Sequence, residues 1–268
     1  MNAKISRLPE PITQRSGYIT NLEDALWECP TCGVQEPHSY TMRDVTYFTH
    51  RKCACQLAEE KRMEQEKRRQ ERLEYAANQT YNWLGSRWSE TPLRKKTFEN
   101  FRAEQQPDAY DMARDFAASP HGTFILHGTY GTGKTHLLAA ICNEALFTHD
   151  MQSLFTTSTK LFAAIQQKIG NREDHYALVE RAVKTPMLIL DDIDKAKWSE
   201  FREEIYFAII DERVKRELPI ALSTNRLDEL DSFVGGAVFS RLKIGQVAIA
   251  MVGRDYRAGL WSLPDGPE

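Results

Sequence analysis

The residues best suited to chemistry run from His127 to His136, HGTYGTGKTH, and fit the spacing G-x-x-x-x-G-K-[ST] in full. Gly128, Gly131 and Gly133 let the backbone fold tightly, so the N–H groups of Thr129, Tyr130, Thr132 and their neighbours point inward at phosphate oxygens. Lys134 reaches the outer phosphates, Thr135 offers its hydroxyl to Mg²⁺, and His136 closes the run as the helix begins. The chemistry implied is binding of a nucleoside di- or triphosphate.

An acidic pair narrows the reaction. In LILDD, Asp191 and Asp192 end an apolar run, where carboxylates are costly unless a cation or hydrogen bonds compensate them. Asp191 is placed to hold Mg²⁺, and Asp192 to orient or polarise the attacking water. LSTN follows with Asn225, a neutral amide able to bond a γ-phosphate or a water without adding charge. FSRL then supplies Arg241, whose fixed and always protonated fork suits transition-state phosphate charge. Spacing alone weighs that role equally against a surface salt bridge. A separate set, Cys29 and Cys32 (CPTC) with Cys53 and Cys55 (CAC), has twenty residues between its halves. Four thiolates make a closed tetrahedral Zn²⁺ site. The tight C-x-C half leaves room for His50 or His38 to replace one sulfur. Cys142, in the helix after the glycine loop, reads as core.

These groups need elements to hold them. TFIL (residues 123–126) is a short β-prone run before the loop, and residues 136–147 are apolar at helical spacing. Strands are expected at 153–158, 186–192, 219–225 and 246–252. Helices are expected at 159–169, with Thr159 as cap, and at 200–218. Repeated βα units imply a doubly wound parallel sheet with ligands at the carboxyl ends of its strands. Residues 59–74 carry six basic and six acidic side chains, with Glu64 placed to pair Arg68 one turn on. Lacking a wide apolar stripe, that helix suits a solvated connector. Trp83, Trp88 and the aromatic residues of KKTFENF (95–101) are expected mainly to pack.

Net charge is −3, from 35 basic and 38 acidic residues, so any nucleic-acid binding needs a local patch. No apolar run approaches the roughly 20 residues that span a bilayer, and MNAKISRLPEPITQRSG lacks the apolar core of a secretory signal. A cytoplasmic location without membrane contact is therefore expected, which favours metal ligation over disulfides for the cysteines.

In order and spacing, the phosphate loop, LILDD, LSTN and FSRL resemble the DnaC/DnaI-type helicase loaders of the AAA+ superfamily, which are related to the IstB transposition helper ATPases. The resemblance covers residues 95–257, with TFENF adding to it, and the cysteine-rich front also looks like DnaI-type loaders. It implies a zinc-binding N-terminal domain (1–58) that contacts a hexameric DnaB-type replicative helicase, and a charged helical linker (59–94). An AAA+ P-loop ATPase domain (95–258), binding ATP or ADP, and a tail (259–268) follow. Gly128, Gly131, Gly133, Lys134 and Thr135 match Walker A, and Asp191 and Asp192 match Walker B. Asn225 matches sensor 1 and Arg241 the arginine finger, which implies self-association through the ATPase domain. The resemblance also implies single-stranded DNA binding, with contacts expected on the helices between Thr159 and Lys184. The sequence departs from the wider superfamily in its Asp-Asp pair. It is also too short after GRDYR for a full helical lid, so Arg257 is an uncertain sensor and the ATPase is expected to be modest. Two rivals stand: an IstB-like transposition helper, against which the cysteine unit argues, and an adaptor whose nucleotide is structural.

Overall fold

A computed structural model describes residues 19, 21–49, 52–84 and 92–256. His50, Trp88, Arg257 and the tail 259–268 lie outside the described residues. The chain divides into two compact units, Met1–Arg69 and Gln70–Glu268.

The first unit is built from short pieces. One helical turn, α1 (Leu22–Ala25), is capped by the Asn21 side chain. The strands β1 (Trp27–Cys29) and β2 (Gly33–Gln35) pair antiparallel around the Cys-Pro-Thr-Cys turn. A second hairpin joins β3 (His38–Met42) to β4 (Val45–Thr49). Its two-residue turn, Arg43 and Asp44, has φ of 50° and 63°, the sense that matches the right-handed twist of the strands.

Helix α2 (Ala54–Asn82) runs from the second cysteine pair into the second unit. Residues 57–72 are all exposed, and the Glu64–Arg68 pair forms at 2.7 Å. The division between the units falls inside α2, whereas the composition shifts near residue 58. From Leu73 onward the helix acquires an apolar side, and Leu73, Ala76 and Ala77 are buried with Leu146. Trp83, just past the helix, is buried and its indole N–H donates to the Phe155 carbonyl at 3.2 Å.

The rest of the second unit is α3 (Pro107–Ala118), β5 (Thr123–Gly128), α4 (Lys134–Phe147), β6 (Ser153–Thr157), α5 (Ser158–Gly170), α6 (Tyr176–Lys184), β7 (Met187–Asp191), α7 (Glu200–Lys215), β8 (Ile220–Thr224), α8 (Leu230–Val234), α9 (Gly236–Leu242) and β9 (Gln246–Met251). The five long strands form one parallel sheet in the order β6-β7-β8-β5-β9. Residue parity separates its faces. Ile125, Leu188, Leu190 and Leu222 belong to one core with α5, α6, α7 and α9, while Phe124, Leu126, Ile189 and Ala221 belong to a second core with α3 and α4. Helices thus cover both faces, as a doubly wound sheet requires. Among the described residues no helix is long and apolar enough to cross a membrane.

Two expected boundaries need correction. Thr157, not Thr159, caps α5, because its hydroxyl accepts from the Lys160 N–H at 3.3 Å. Helix α7 stops at Lys215 and does not reach Leu218. Glu217 turns left-handed at φ 55°, and the Leu218 N–H closes back on the Arg213 carbonyl at 2.9 Å. This is a helix-ending motif that usually recruits glycine, absent here.

Candidate nucleotide and metal sites

The glycine loop leaves β5 and enters α4 at its N-terminus. Gly128 has φ 129°, and a Cβ there would lie 2.2 Å from the Met251 carbonyl oxygen of β9. Gly133, the N-cap of α4, has φ 99°, and a Cβ would meet the Phe101 ring at 2.8 Å. Glycine is therefore needed at both for space as well as for dihedral freedom. Thr132 donates to the Thr129 carbonyl at 3.0 Å. Lys134 is buried and folds back on the loop, donating to the carbonyls of Gly128 (2.9 Å) and Thr129 (2.7 Å).

Strand order brings the acidic pair to this loop. β8 lies between β5 and β7, so the carboxyl ends of all three open on one cleft. The Thr135 hydroxyl donates to Asp191 Oδ1 at 3.2 Å, and Ser223 of β8 donates to the same oxygen at 2.6 Å. Burial pushes the Asp191 carboxyl up to about 6, against the pull of these hydroxyls. Asp192 lies just past the strand at φ 51°. Its N–H donates to Ser223 Oγ at 2.9 Å and its carbonyl accepts from the Ser158 hydroxyl at 2.6 Å, so its main chain is held on both sides.

Asn225 reaches the same cleft through a residue the sequence reading passed over. Its N–H donates to Asp194 Oδ2 at 3.3 Å. Asp194 Oδ1 and Asn225 Nδ2 are both buried with no hydrogen-bond partner among the described residues. Ser223 and Asp194 had one available signal, a polar residue at the end of an otherwise apolar strand or just beyond it. Nothing nearby in sequence says which carboxylate or amide each would meet.

His136 turns its ring toward the lead-in segment, donating to the Thr97 carbonyl at 3.0 Å with Phe101 edge-on at 5.2 Å. Its side chain thus ties the lead-in segment to α4, while its main chain belongs to the run expected to receive the phosphates. Tyr130 projects from the loop and is 56% exposed. Lys195, beyond the acidic pair, donates to its hydroxyl at 3.1 Å and lies 4.4 Å over its ring. Arg241 makes no contact with the loop among the described residues. It sits on α9 and pairs with Asp211 of α7 at 2.9 Å. Asn143 of α4, unremarked in the sequence, accepts from Tyr81 at 2.7 Å and donates to the Leu93 and Lys96 carbonyls at 3.1 and 2.8 Å. It thereby locks the lead-in segment onto the phosphate-loop helix.

Residues 93–249 match the family described as the Bacterial DnaA ATPase domain. The replicative helicase loader DnaC of Escherichia coli K12 is 30% identical over 174 residues, 62% of this chain and 69% of DnaC. The chain belongs to the DnaC/DnaI family of AAA+ ATPases. The replicative helicase loader DnaI of Bacillus subtilis is 28% identical over 137 residues, 45% of this chain and 43% of DnaI. The crystal structure of the DnaC helicase loader shares the fold, with a TM-score of 0.55 and 19% identity over 60% of this chain and 99% of that one. AMPPCP-bound DnaA from Aquifex aeolicus shares it at 0.53 and 24%, covering 59% of this chain and 50% of that one.

An AAA+ ATPase uses nucleotide and Mg²⁺, and this DnaC/DnaI-family chain has residues that fit both. Asp191 is a buried carboxylate that accepts from the Thr135 hydroxyl. Asn225 Nδ2, with no hydrogen-bond partner among the described residues, lies just past β8, the strand between β5 and β7. In the first unit the sulfurs of Cys29, Cys32, Cys53 and Cys55 all lie within 4.8 Å of one another, a spacing suited to a tetrahedral thiolate site with bonds of about 2.3 Å. Thr31 and Cys32 main-chain hydrogen bonds lower the Cys29 thiol to about 6. His38 is exposed on β3 and stands apart from the cluster.

Proposed function

We propose that this chain is an ATP-dependent helicase loader that binds a hexameric DnaB-type replicative helicase and single-stranded DNA at the start of replication. In this reading residues 1–58 are a zinc-held docking unit and 59–94 a connector. Residues 95–258 are the ATPase engine and 259–268 a tail. The observation that carries it is the meeting of Thr135 with Asp191 beside Asn225, in a chain whose match to DnaC spans 69% of that loader.

The residues divide the work. The main-chain amides of Gly128–His136 receive the phosphates, and Lys134 exchanges the Gly128 and Thr129 carbonyls for the outer phosphate oxygens. Thr135 and Asp191 hold magnesium, which supplies charge neutralisation at the terminal phosphates. Asp192 orients the attacking water, and Asn225 Nδ2 donates to that water or to the γ-phosphate. Arg241 acts in trans on the nucleotide of a neighbouring subunit, an arrangement typically worth on the order of 10³–10⁵ in rate. Hydrolysis is modest in isolation and rises in the assembly, where it times release of the helicase. Helices α5 and α6, between Thr159 and Lys184, are the proposed path for single-stranded DNA. Cys29, Cys32, Cys53 and Cys55 bind one Zn²⁺.

The test is affinity purification of the full chain from its own cell extract, with and without ATP. Recovery of the replicative helicase, released on ATP hydrolysis, is expected. Recovery of a transposase, or of a helicase that hydrolysis never releases, would overturn the reading. Arg241→Ala is expected to bind ATP normally and lose assembly-stimulated turnover.

A further inference from the structure

Arg241 is fixed in place by its own subunit. Its Nε donates to Asp211 Oδ1 at 2.9 Å, and its guanidinium lies 4.8 Å from the centre of the Phe207 ring. Phe207 and Asp211 are four residues apart on α7, so they share a helix face. The Asp211 side chain is 14% exposed, against 35% for Arg241. Its other oxygen accepts from Lys215 at 2.7 Å. The hydrogen bonds from Lys215 and Arg241 hold the Asp211 carboxyl below its usual range, so it stays ionised and available.

A guanidinium has five N–H donors in a rigid fork. Asp211 occupies the Nε edge. The other contact is a long one, 3.5 Å from Nη1 to the Ala237 carbonyl, and Nη2 has no hydrogen bond among the described residues. A carboxylate on one edge and a ring against one face hold a flexible side chain in a single orientation with its far edge free. Such preorganisation lowers the ordering cost of docking. The same ring borders a shallow cavity of about 410 Å³ lined by Glu200, Glu203 and Glu204. That acidic rim disfavours a bare polyanion such as a DNA backbone. An anion brought in with its own divalent cation on a protein surface escapes this penalty.

We propose that Asp211, with Phe207 against the guanidinium face, is the positioning residue for Arg241. It aims the free Nη edge at the terminal phosphate of a nucleotide bound by a second copy of this chain. The proposal rests on the trans role given to Arg241 above.

The experiment uses full-length Asp211→Asn, Asp211→Glu, Arg241→Ala and Lys134→Ala chains, with helicase and single-stranded DNA present. Nucleotide binding is measured separately with a fluorescent ATP analogue. Asp211→Asn is expected to bind nucleotide normally and lose about 10- to 100-fold in stimulated turnover, with partial recovery in Asp211→Glu. Lys134→Ala chains cannot hydrolyse ATP but still present a well-held Arg241. Mixing them with Asp211→Asn chains is expected to restore turnover, as mixing with Arg241→Ala chains does. A purely structural α7–α9 staple would instead lower the melting temperature and nucleotide affinity, with no recovery on mixing, and would overturn the proposal. So would full stimulated turnover in Asp211→Asn, while recovery in the Arg241→Ala mixture would leave the trans role standing. Failure of that last mixture sinks the trans role itself. If Asp211→Asn folds poorly, Phe207→Leu keeps the ion pair, loses the ring, and is expected to show the same recovery.

Discussion

Asp191 is a carboxylate whose charged form burial disfavours. Its carboxyl is raised from 3.8 to about 6, chiefly because it is 4% exposed. A group that binds its proton more tightly folded than unfolded stabilises the fold most below pH 4. That contribution is lost as pH rises through about 6. Metal binding runs the other way, because below pH 6 a cation must displace the proton, at about tenfold in affinity per pH unit. The expected outcome is a Mg²⁺-dependent thermal shift with nucleotide that is small at pH 5 and grows through pH 6 to 7. Asp191→Asn should flatten that profile, and an unchanged profile in the variant would place the metal elsewhere. The carboxylate itself was legible in LILDD, because an acid ending an apolar strand is rare. Its partner Ser223 was not legible, since it lies 32 residues away on a strand whose neighbours are not written locally.

Arg213 shows the same limit at the level of elements. In the sequence it is one of several charged residues near the end of α7. In the structure it is fully buried and donates to the carbonyls of Ala182, Thr185, Pro186 and Pro219, at 2.8, 2.8, 3.3 and 2.6 Å. It ties the end of α6 to the starts of β7 and β8, and burial lowers its guanidinium to about 9. Periodicity located α7 because it reports which side of a helix is apolar, and an arginine on that side looks like an error until its carbonyl partners are known. Arg213→Met keeps length and removes the donors, leaving buried carbonyls unpaired at about 1–3 kcal/mol each where water cannot enter. Urea unfolding is expected to show a loss of at least about 3 kcal/mol with an unchanged slope. Arg213→Lys should recover only part of it, having a point charge in place of the fork.

At the scale of the molecule, two units are stabilised by different means. The second has two apolar cores against one sheet. In the first, the buried hydrophobic positions among the described residues are Ala25, Cys29 and Cys53, too few for so short a segment to hold its shape without a staple. Chelation, or Cys29→Ser with Cys53→Ser, is therefore expected to open the residues before α2 to protease. The melting transition and nucleotide affinity of the second unit should be unchanged. Loss of both units together would show that the cysteines do not form a separate metal-held unit. The helical connector was legible because residues 59–74 alternate charge without an apolar stripe. The apolar continuation from Leu73 to Tyr81 was not, because it depends on Leu146 and Asn143 being there to receive it.

The sequence by itself determined the features that depend on near neighbours. Glycines at 128, 131 and 133 set a loop that only their dihedrals allow, apolar runs set the strands, and residue type set which side chains are suited to phosphate or metal. The tertiary structure decided the partners: β8 between β5 and β7, Ser223 on Asp191, Asp194 on Asn225, and Asp211 on Arg241. Strand order is chosen by burying every apolar face at once. Contacts between residues some 30 to 60 positions apart follow from that collective choice and leave no local pattern to read.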